Sequence, residues 1–112
     1  MKNEEHNLQA ACVRWFDTQY PSHKNMLFAV PNGGQRNVVV ASKLKAEGVR
    51  KGVSDLILMC GFGNIVFIEM KTEKGKQQES QIAFERMCNK TGYVYKIVRN
   101  FEEFEKLIKL YF

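Results

Sequence analysis

The spacing of apolar residues changes period several times along the chain, and each change marks an element. From Glu4 to Gln19 the residues Leu8, Ala11, Cys12, Trp15 and Phe16 fall on one helical stripe. Asn3 is placed to cap this helix, Glu4 and Glu5 occupy the first turn where the macrodipole favours anions, and Pro21 ends it. Met26 to Val30 is a short apolar run that reads as a buried strand, stopped by the turn signal Pro31-Asn32-Gly33-Gly34. Arg36 to Glu47 is compatible with a helix, and Gly48 supplies its stop. Asp55 to Cys60 and Asn64 to Lys71 are β-rich runs around Gly61-Phe62-Gly63, which predicts a hairpin. Thr72 to Lys76 reads as a polar loop. Gln77 to Lys90 predicts another long helix, with Phe84, Met87 and Cys88 on one face and a close near Gly92. Tyr93 to Val98 reads as a strand. Phe101 to Tyr111 reads as an amphipathic helix, acidic early and basic late.

The order α-β-α-β-β-α-β-α predicts an α/β domain, a mixed central sheet of about four strands flanked by helices. A length of 112 residues suits one domain spanning the whole chain, with no repeat or linker to divide it. A 45% hydrophobic share rules out a disordered chain and permits a real core. Seventeen Lys and Arg against twelve Asp and Glu leave +5, a balance compatible with a polyanionic partner. Cys12, Cys60 and Cys88 are far apart and lie in apolar stretches, so they read as reduced core thiols rather than a zinc site. No apolar run approaches the ~20 residues a membrane span requires, and the polar N-terminus is unlike a signal peptide. An intracellular protein is expected. No GxxxxGK[ST] motif is present to suggest a nucleotide-driven motor or a nucleotide cofactor.

The chemistry concentrates in Gly52-Val53-Ser54-Asp55-Leu56-Ile57-Leu58 and Ile65-Val66-Phe67-Ile68-Glu69-Met70-Lys71. On a strand, side chains alternate between faces, so Glu69 and Lys71 emerge together while Met70 turns into the core. If the two runs pair as a hairpin, Asp55 meets Glu69 and Lys71 at one edge of the sheet. Taken alone, Glu-x-Lys on a strand is usually a solvated ion pair. Three charged groups converging on otherwise apolar strands need a further reason. Two adjacent carboxylates repel unless a cation lies between them. A hard cation such as Mg²⁺ or Mn²⁺ answers that need, and Asp55, Glu69 and the backbone carbonyl of Met70 could hold one. Such a metal would acidify a bound water and stabilise charge on a phosphate. Lys71 could orient or deprotonate the attacking water, or neutralise the transition state.

These residues resemble the PD-(D/E)xK nuclease motif. Their surroundings narrow the resemblance to the virus-type replication-repair nuclease (VRR-Nuc) domain. Glu5-x-x-x-Gln9, Pro31-Asn32-Gly33-Gly34, the run from Lys43 to Gly52, Asp55, Glu69-Met70-Lys71 and Gln81 occur in that order over nearly the whole chain. The resemblance implies that Asp55 and Glu69 are metal ligands and Lys71 the catalytic lysine. It further implies that Glu5 is an added acidic active-site residue and Gln81 the family's glutamine on the helix after the catalytic strand. The Gln9 spacing favours Glu5 over its neighbour Glu4. Ser54 stands where the family usually has a proline, which shapes the turn but supplies no ligand. A chain with nothing appended is similar to the stand-alone viral and phage members, which implies a host-cell cytoplasmic location. Those members are implied to be homodimers that cut branched DNA, four-way (Holliday) junctions above all.

The expected reaction is therefore metal-dependent endonucleolytic hydrolysis of DNA. The rivals are a nuclease for flapped, nicked or single-stranded DNA and a non-catalytic nucleic-acid-binding module. Uncompensated Asp55 and Glu69 would repel phosphate, which counts against the module. Arg36, Lys43, Lys45, Arg50 and Lys51, together with Lys74 and Lys76 just past Lys71, are candidate phosphate contacts. Asn32, Gly33 and Gly34 are candidates for close backbone approach to DNA. His6 and His23 have no partner at metal spacing and are expected to face solvent. The apolar end Leu110-Tyr111-Phe112 is a candidate dimer surface.

Overall fold

A computed structural model describes residues 2–31 and 37–112. Asn32, Gly33, Gly34 and Arg36, four of the candidate DNA contacts, lie outside the described residues. The elements are α1 (Lys2–Gln19), a 3₁₀ segment (Pro21–Met26), β1 (Leu27–Ala29), α2 (Val38–Ala46), β2 (Leu56–Met59), β3 (Ile65–Met70), α3 (Glu79–Thr91), β4 (Val94–Val98) and α4 (Phe101–Tyr111). This is the predicted order, with that 3₁₀ segment added and a second, short one (Gly61–Gly63) between β2 and β3.

The four strands form one sheet in the order β1-β2-β3-β4. β1 and β2 pair antiparallel, β2 and β3 form the predicted antiparallel hairpin, and β4 joins β3 in parallel after the α3 crossover. The sheet is thus mixed and helix-flanked, as expected. The hairpin turns through Gly61-Phe62-Gly63, where Phe62 and Gly63 both hold positive φ and the Cys60 N–H reaches the Asn64 carbonyl at 2.8 Å.

Alternation along the strands separates two faces. Leu56, Leu58, Val66, Ile68, Met70 and Val98 form a buried layer with Cys12 and Phe16 of α1 and Phe104, Leu107 and Ile108 of α4. Trp15 packs edge-on against Tyr20, Phe101 and Phe104, the packing role expected of it. The opposite face carries Phe67, which meets Phe84 of α3 and Tyr93 edge-on. All three cysteines are buried and unpaired. Among the described residues, no helix is long and apolar enough to cross a membrane.

Several local expectations are corrected. α1 already includes Lys2 and Asn3, so Asn3 is a helical residue rather than a cap. Met87 is 61% exposed, whereas Phe84 packs on Phe67 of the sheet and Cys88 is buried. α2 starts at Val38 with Asn37 as its cap, whose side chain accepts from the Val40 N–H at 2.8 Å. The C-terminal run is not a free apolar end. Phe112 packs on Phe16, Tyr20 and His23 of its own chain, and only Leu110 stays largely exposed.

Gly52 ties the approach to β2 onto α3. Its φ is +88°, and a Cβ built there would overlap the Ser80 carbonyl in the first turn of α3. Gly52→Ala is therefore expected to cost about 2–4 kcal/mol, combining left-handed strain with overpacking against backbone. Urea unfolding checks this, and a loss below about 0.5 kcal/mol would mean that the contact is not tight.

Candidate active site

The β2–β3 register pairs Leu56 with Ile68, so one step further out Asp55 comes opposite Glu69. Both then face the α3 side, away from the apolar core. Asp55 sits just before β2, and its backbone carbonyl is fixed by the Val30 N–H at 2.9 Å. Its Oδ2 accepts from the Met70 N–H at 2.7 Å, which locks the carboxyl against the end of β3. Met70 itself turns inward and is fully buried, as alternation predicts. The preceding Ser54 is buried, and its hydroxyl donates to the Leu56 carbonyl at 3.1 Å.

Glu69 is 1% exposed, an expensive place for a charge. Gln81 Nε2 donates to its Oε2 at 2.8 Å. The other end of the same amide accepts from the Gln78 N–H at 2.8 Å, so the start of α3 fixes which end of Gln81 faces the carboxylate. Lys71 is also buried, with Nζ 3.9 Å from Glu69 Oε2, and its backbone N–H is held by the Val98 carbonyl at 3.0 Å. Glu5 on α1 is half-buried and feels both Asp55 and Lys71, whereas Glu4 is exposed. Glu5 also opens into a shallow groove along α1 lined by His6, Gln9, Val13, Arg14 and Asp17.

The electrostatics record the crowding. Burial first, and the Asp55 charge second, push Glu69 up to about 8, with Lys71 opposing. Burial also raises Asp55, offset by the Met70 N–H, the hydrogen bond with Glu69 and the Lys71 charge. Glu5 is raised by burial and then by Asp55. The two central carboxyls are close enough to share a proton.

The predicted basic residues separate into two groups. Lys74 and Lys76 are exposed in the loop that follows Lys71. Arg99 gathers that loop: its Nη1 donates to the carbonyls of Thr72 at 2.8 Å and Gly75 at 2.7 Å, and more weakly to that of Glu73 at 3.4 Å. Lys43 and Lys45 stand exposed on α2, which buries no side chain. Arg50 and Lys51 are exposed in the turn before Gly52, with Arg50 Nη1 donating to the Lys45 carbonyl at 3.3 Å. The Gly52 contact with Ser80 brings this turn beside the start of α3, close in sequence to Gln81.

Sequence reasoning missed three polar residues here. Tyr95 of β4 sends its hydroxyl toward Glu69 Oε1 at 3.4 Å, Gln77 reaches Tyr95, and Arg99 shapes the loop. Tyr95 lies on an apolar-looking strand, and its parity was the only signal available. The sequence places Gln77 at the start of a helix that begins only at Glu79, and Arg99 lies in a loop position with no periodicity to read.

Because Glu69 keeps its proton in the folded chain well above the 4.5 of an ordinary glutamate, folding is favoured at low pH and that contribution is lost as pH rises through about 8. Asp55 and Glu5 are raised in the same direction. In EDTA, the melting temperature of the wild type should fall from about pH 5 to pH 9, and Glu69→Gln should flatten that slope. Identical slopes for the two proteins would contradict this assignment of the buried proton.

A VRR-NUC domain profile matches residues 1–101 of the chain. Solved structures share the fold, among them these two. One, described as a "VRR_NUC domain protein", is 21% identical, with 96% of this chain and 86% of that one aligned at a TM-score of 0.78. Another, described as a "VRR_NUC domain", is 21% identical, with 92% and 96% aligned at a TM-score of 0.59. No curated protein matches the chain. The profile runs from the start of α1 to the first residue of α4, across Glu5, Asp55, Glu69, Lys71 and Gln81, and the chain belongs to the VRR-NUC family of nuclease domains.

Proposed function

We propose that this chain, acting as one domain over residues 1–112, is a metal-dependent endonuclease that hydrolyses phosphodiester bonds in DNA. The observation that carries the reading is the pair Asp55 and Glu69, set opposite one another by the strand register beside buried Lys71, with burial raising both carboxyls and the Asp55 charge raising Glu69 further. A structural ion pair would use one carboxylate for one lysine. Here two carboxylates, with Glu5 near, share one buried ammonium. That surplus negative charge fits a divalent cation.

The donor set suits a small hard ion. Asp55 and Glu69 would be its ligands, with the Met70 carbonyl, water and a phosphate oxygen completing the shell. Among the described residues, no three His, Cys, Asp or Glu side chains form a closed metal cage. Two carboxylates, with the remaining positions left to water and substrate oxygen, match the way Mg²⁺ or Mn²⁺ is held in phosphoryl-transfer enzymes. When bound, the cation lowers the pKa of its water and offsets charge on the phosphate.

The chain's own residues supply the rest. Asp55 is oriented by the Met70 N–H, and Glu69 by Gln81, so neither must reorganise when substrate arrives. Lys71 orients the attacking water or neutralises charge developing on the phosphate. Glu5 adds acidic character on the α1 side. Lys74 and Lys76 on one flank, and Lys43, Lys45, Arg50 and Lys51 on the other, contact the DNA backbone. Phosphate contacts position the strand and do not read its sequence.

The substrate we propose is branched DNA, a four-way junction cut by a homodimer with one site per strand, as in a viral or phage enzyme working in the host cytoplasm. The exposed apolar side chains of Val38 and Val39 on α2, and of Leu110 on α4, give a second copy surface to cover.

The test is cleavage of labelled four-way junction, flap, nicked, duplex and single-stranded DNA with Mg²⁺, Mn²⁺ or EDTA. Cutting should need the metal, should be fastest on the junction, and should fall by roughly 10² or more in Lys71→Ala. A faster cut of flap or single-stranded DNA would reassign the substrate. DNA binding without cutting in either metal would leave only the non-catalytic module.

A further inference from the structure

Tyr95 and Gln77 form a second polar arm behind Glu69, on the side opposite Gln81's amide. Tyr95 is 7% exposed on β4, the strand parallel to β3. The register pairs Tyr95 with Phe67, two residues before Glu69, so Tyr95 and Glu69 share the α3 face. Phe84 of α3 packs at an angle against the Tyr95 ring, with centroids 6.1 Å apart, and thereby restricts it.

The polarity of this arm follows from its chemistry. Gln77 Nε2 donates to the Tyr95 hydroxyl oxygen at 3.2 Å and to Glu85 Oε1 at 3.0 Å. An amide nitrogen can only donate, so the phenol is the acceptor in its contact with Gln77. Its own proton is left for Glu69 Oε1 at 3.4 Å. Gln81 meanwhile donates to Oε2. Oε1 of Glu69 therefore meets the phenol, and Oε2 meets the Gln81 amide beside the Lys71 ammonium.

The 3.4 Å separation is long beside the usual ~2.5–3.0 Å of an O–H···O bond. The carboxyl is drawn toward Oε2, where Gln81 and Lys71 both lie.

We infer that Tyr95, held in polarity by Gln77, is a positioning residue that fixes the Glu69 carboxylate for a divalent cation. The inference rests on the reading of Glu69 as a metal ligand. Outer partners of this kind set the orientation and basicity of the ligand they touch. Gln77 has no contact with Glu69 of its own in this arrangement, so it acts through the tyrosine hydroxyl.

The experiment is Mn²⁺ titration of the full chain by calorimetry, with no DNA present, for wild type, Glu69→Gln, Tyr95→Phe, Gln77→Ala and the Tyr95→Phe/Gln77→Ala double variant. Thermal melts confirm that each variant is folded, and Tyr95→Phe retains the ring that packs on Phe84. Tyr95→Phe should weaken Mn²⁺ binding by about 10-fold or more. Gln77→Ala should weaken it less, and the double variant should bind no worse than Tyr95→Phe alone. A structural role for Gln77 would instead give additive losses, which would overturn its action through Tyr95. Wild-type affinity in Tyr95→Phe, alongside lost binding in Glu69→Gln, would overturn the positioning role while leaving the metal centre intact. If Glu69→Gln binds as tightly as wild type, or wild type binds no Mn²⁺, the metal-ligand reading falls and this inference falls with it.

Discussion

Two carboxyl groups, Asp55 and Glu69, are held together where water is largely excluded, and the organisation of this end of the sheet follows from that cost. Neither would remain there on hydrophobic grounds. The antiparallel register sets them opposite one another, and the Met70 N–H takes one Asp55 oxygen at 2.7 Å. Gln81 and Lys71 approach Glu69 from α3 and from the end of β3. Each of these groups lowers the cost of the charge without removing it, as the raised carboxyls record. In the function proposed above, a divalent cation and a phosphate together would settle that charge balance.

The scaffold makes this possible by separating its labours. The α1–α4 face of the sheet is filled with Leu, Val, Ile, Met and Phe and supplies the burial that stabilises the domain. The α3 face combines aromatic packing around Phe67 and Phe84 with the polar cluster at one end. α3 is anchored at the same end by its Gln78–Gln81 contact and by the Gly52 turn lying against Ser80. A shift of α3 would therefore move Gln81, and with it the donor that Glu69 depends on. Arg99 does comparable work on the other side, where three carbonyls converge on one guanidinium nitrogen and give the loop after Lys71 a defined shape.

Local pattern carried much of this. The apolar stripe of α1, the β-rich runs around Gly61-Phe62-Gly63 and the graded charge of α4 each specify an element from neighbouring residues alone. Period-two alternation also placed Glu69 and Lys71 on one face and Met70 on the other, since strand geometry leaves no alternative. The resemblance to the VRR-Nuc pattern rested on Glu69-Met70-Lys71 together with Glu5, Gln9, the runs from Pro31 to Gly34 and from Lys43 to Gly52, Asp55 and Gln81; the profile match bears out the family and the structural matches the fold.

What lay beyond the sequence were the contacts between distant segments. Whether Glu4 or Glu5 approaches Asp55 depends on the rotation of α1 about its axis, which its packing on α4 and the sheet decides. Met87 reads as part of an apolar face, yet the docking angle of α3 leaves it in solvent. Phe112 reads as a loose apolar end, yet Phe16 and Tyr20 from the far end of the chain enclose it. Tyr95, Gln77 and Arg99 carry no local signature, because the contacts Gln77–Tyr95, Tyr95–Glu69 and Arg99–Thr72 span 18 to 27 residues of sequence. Periodicity encodes which way a side chain points relative to its own backbone. Which group it then meets is fixed only when the strands pair and the helices dock, and that is where the surroundings of Glu69 were decided.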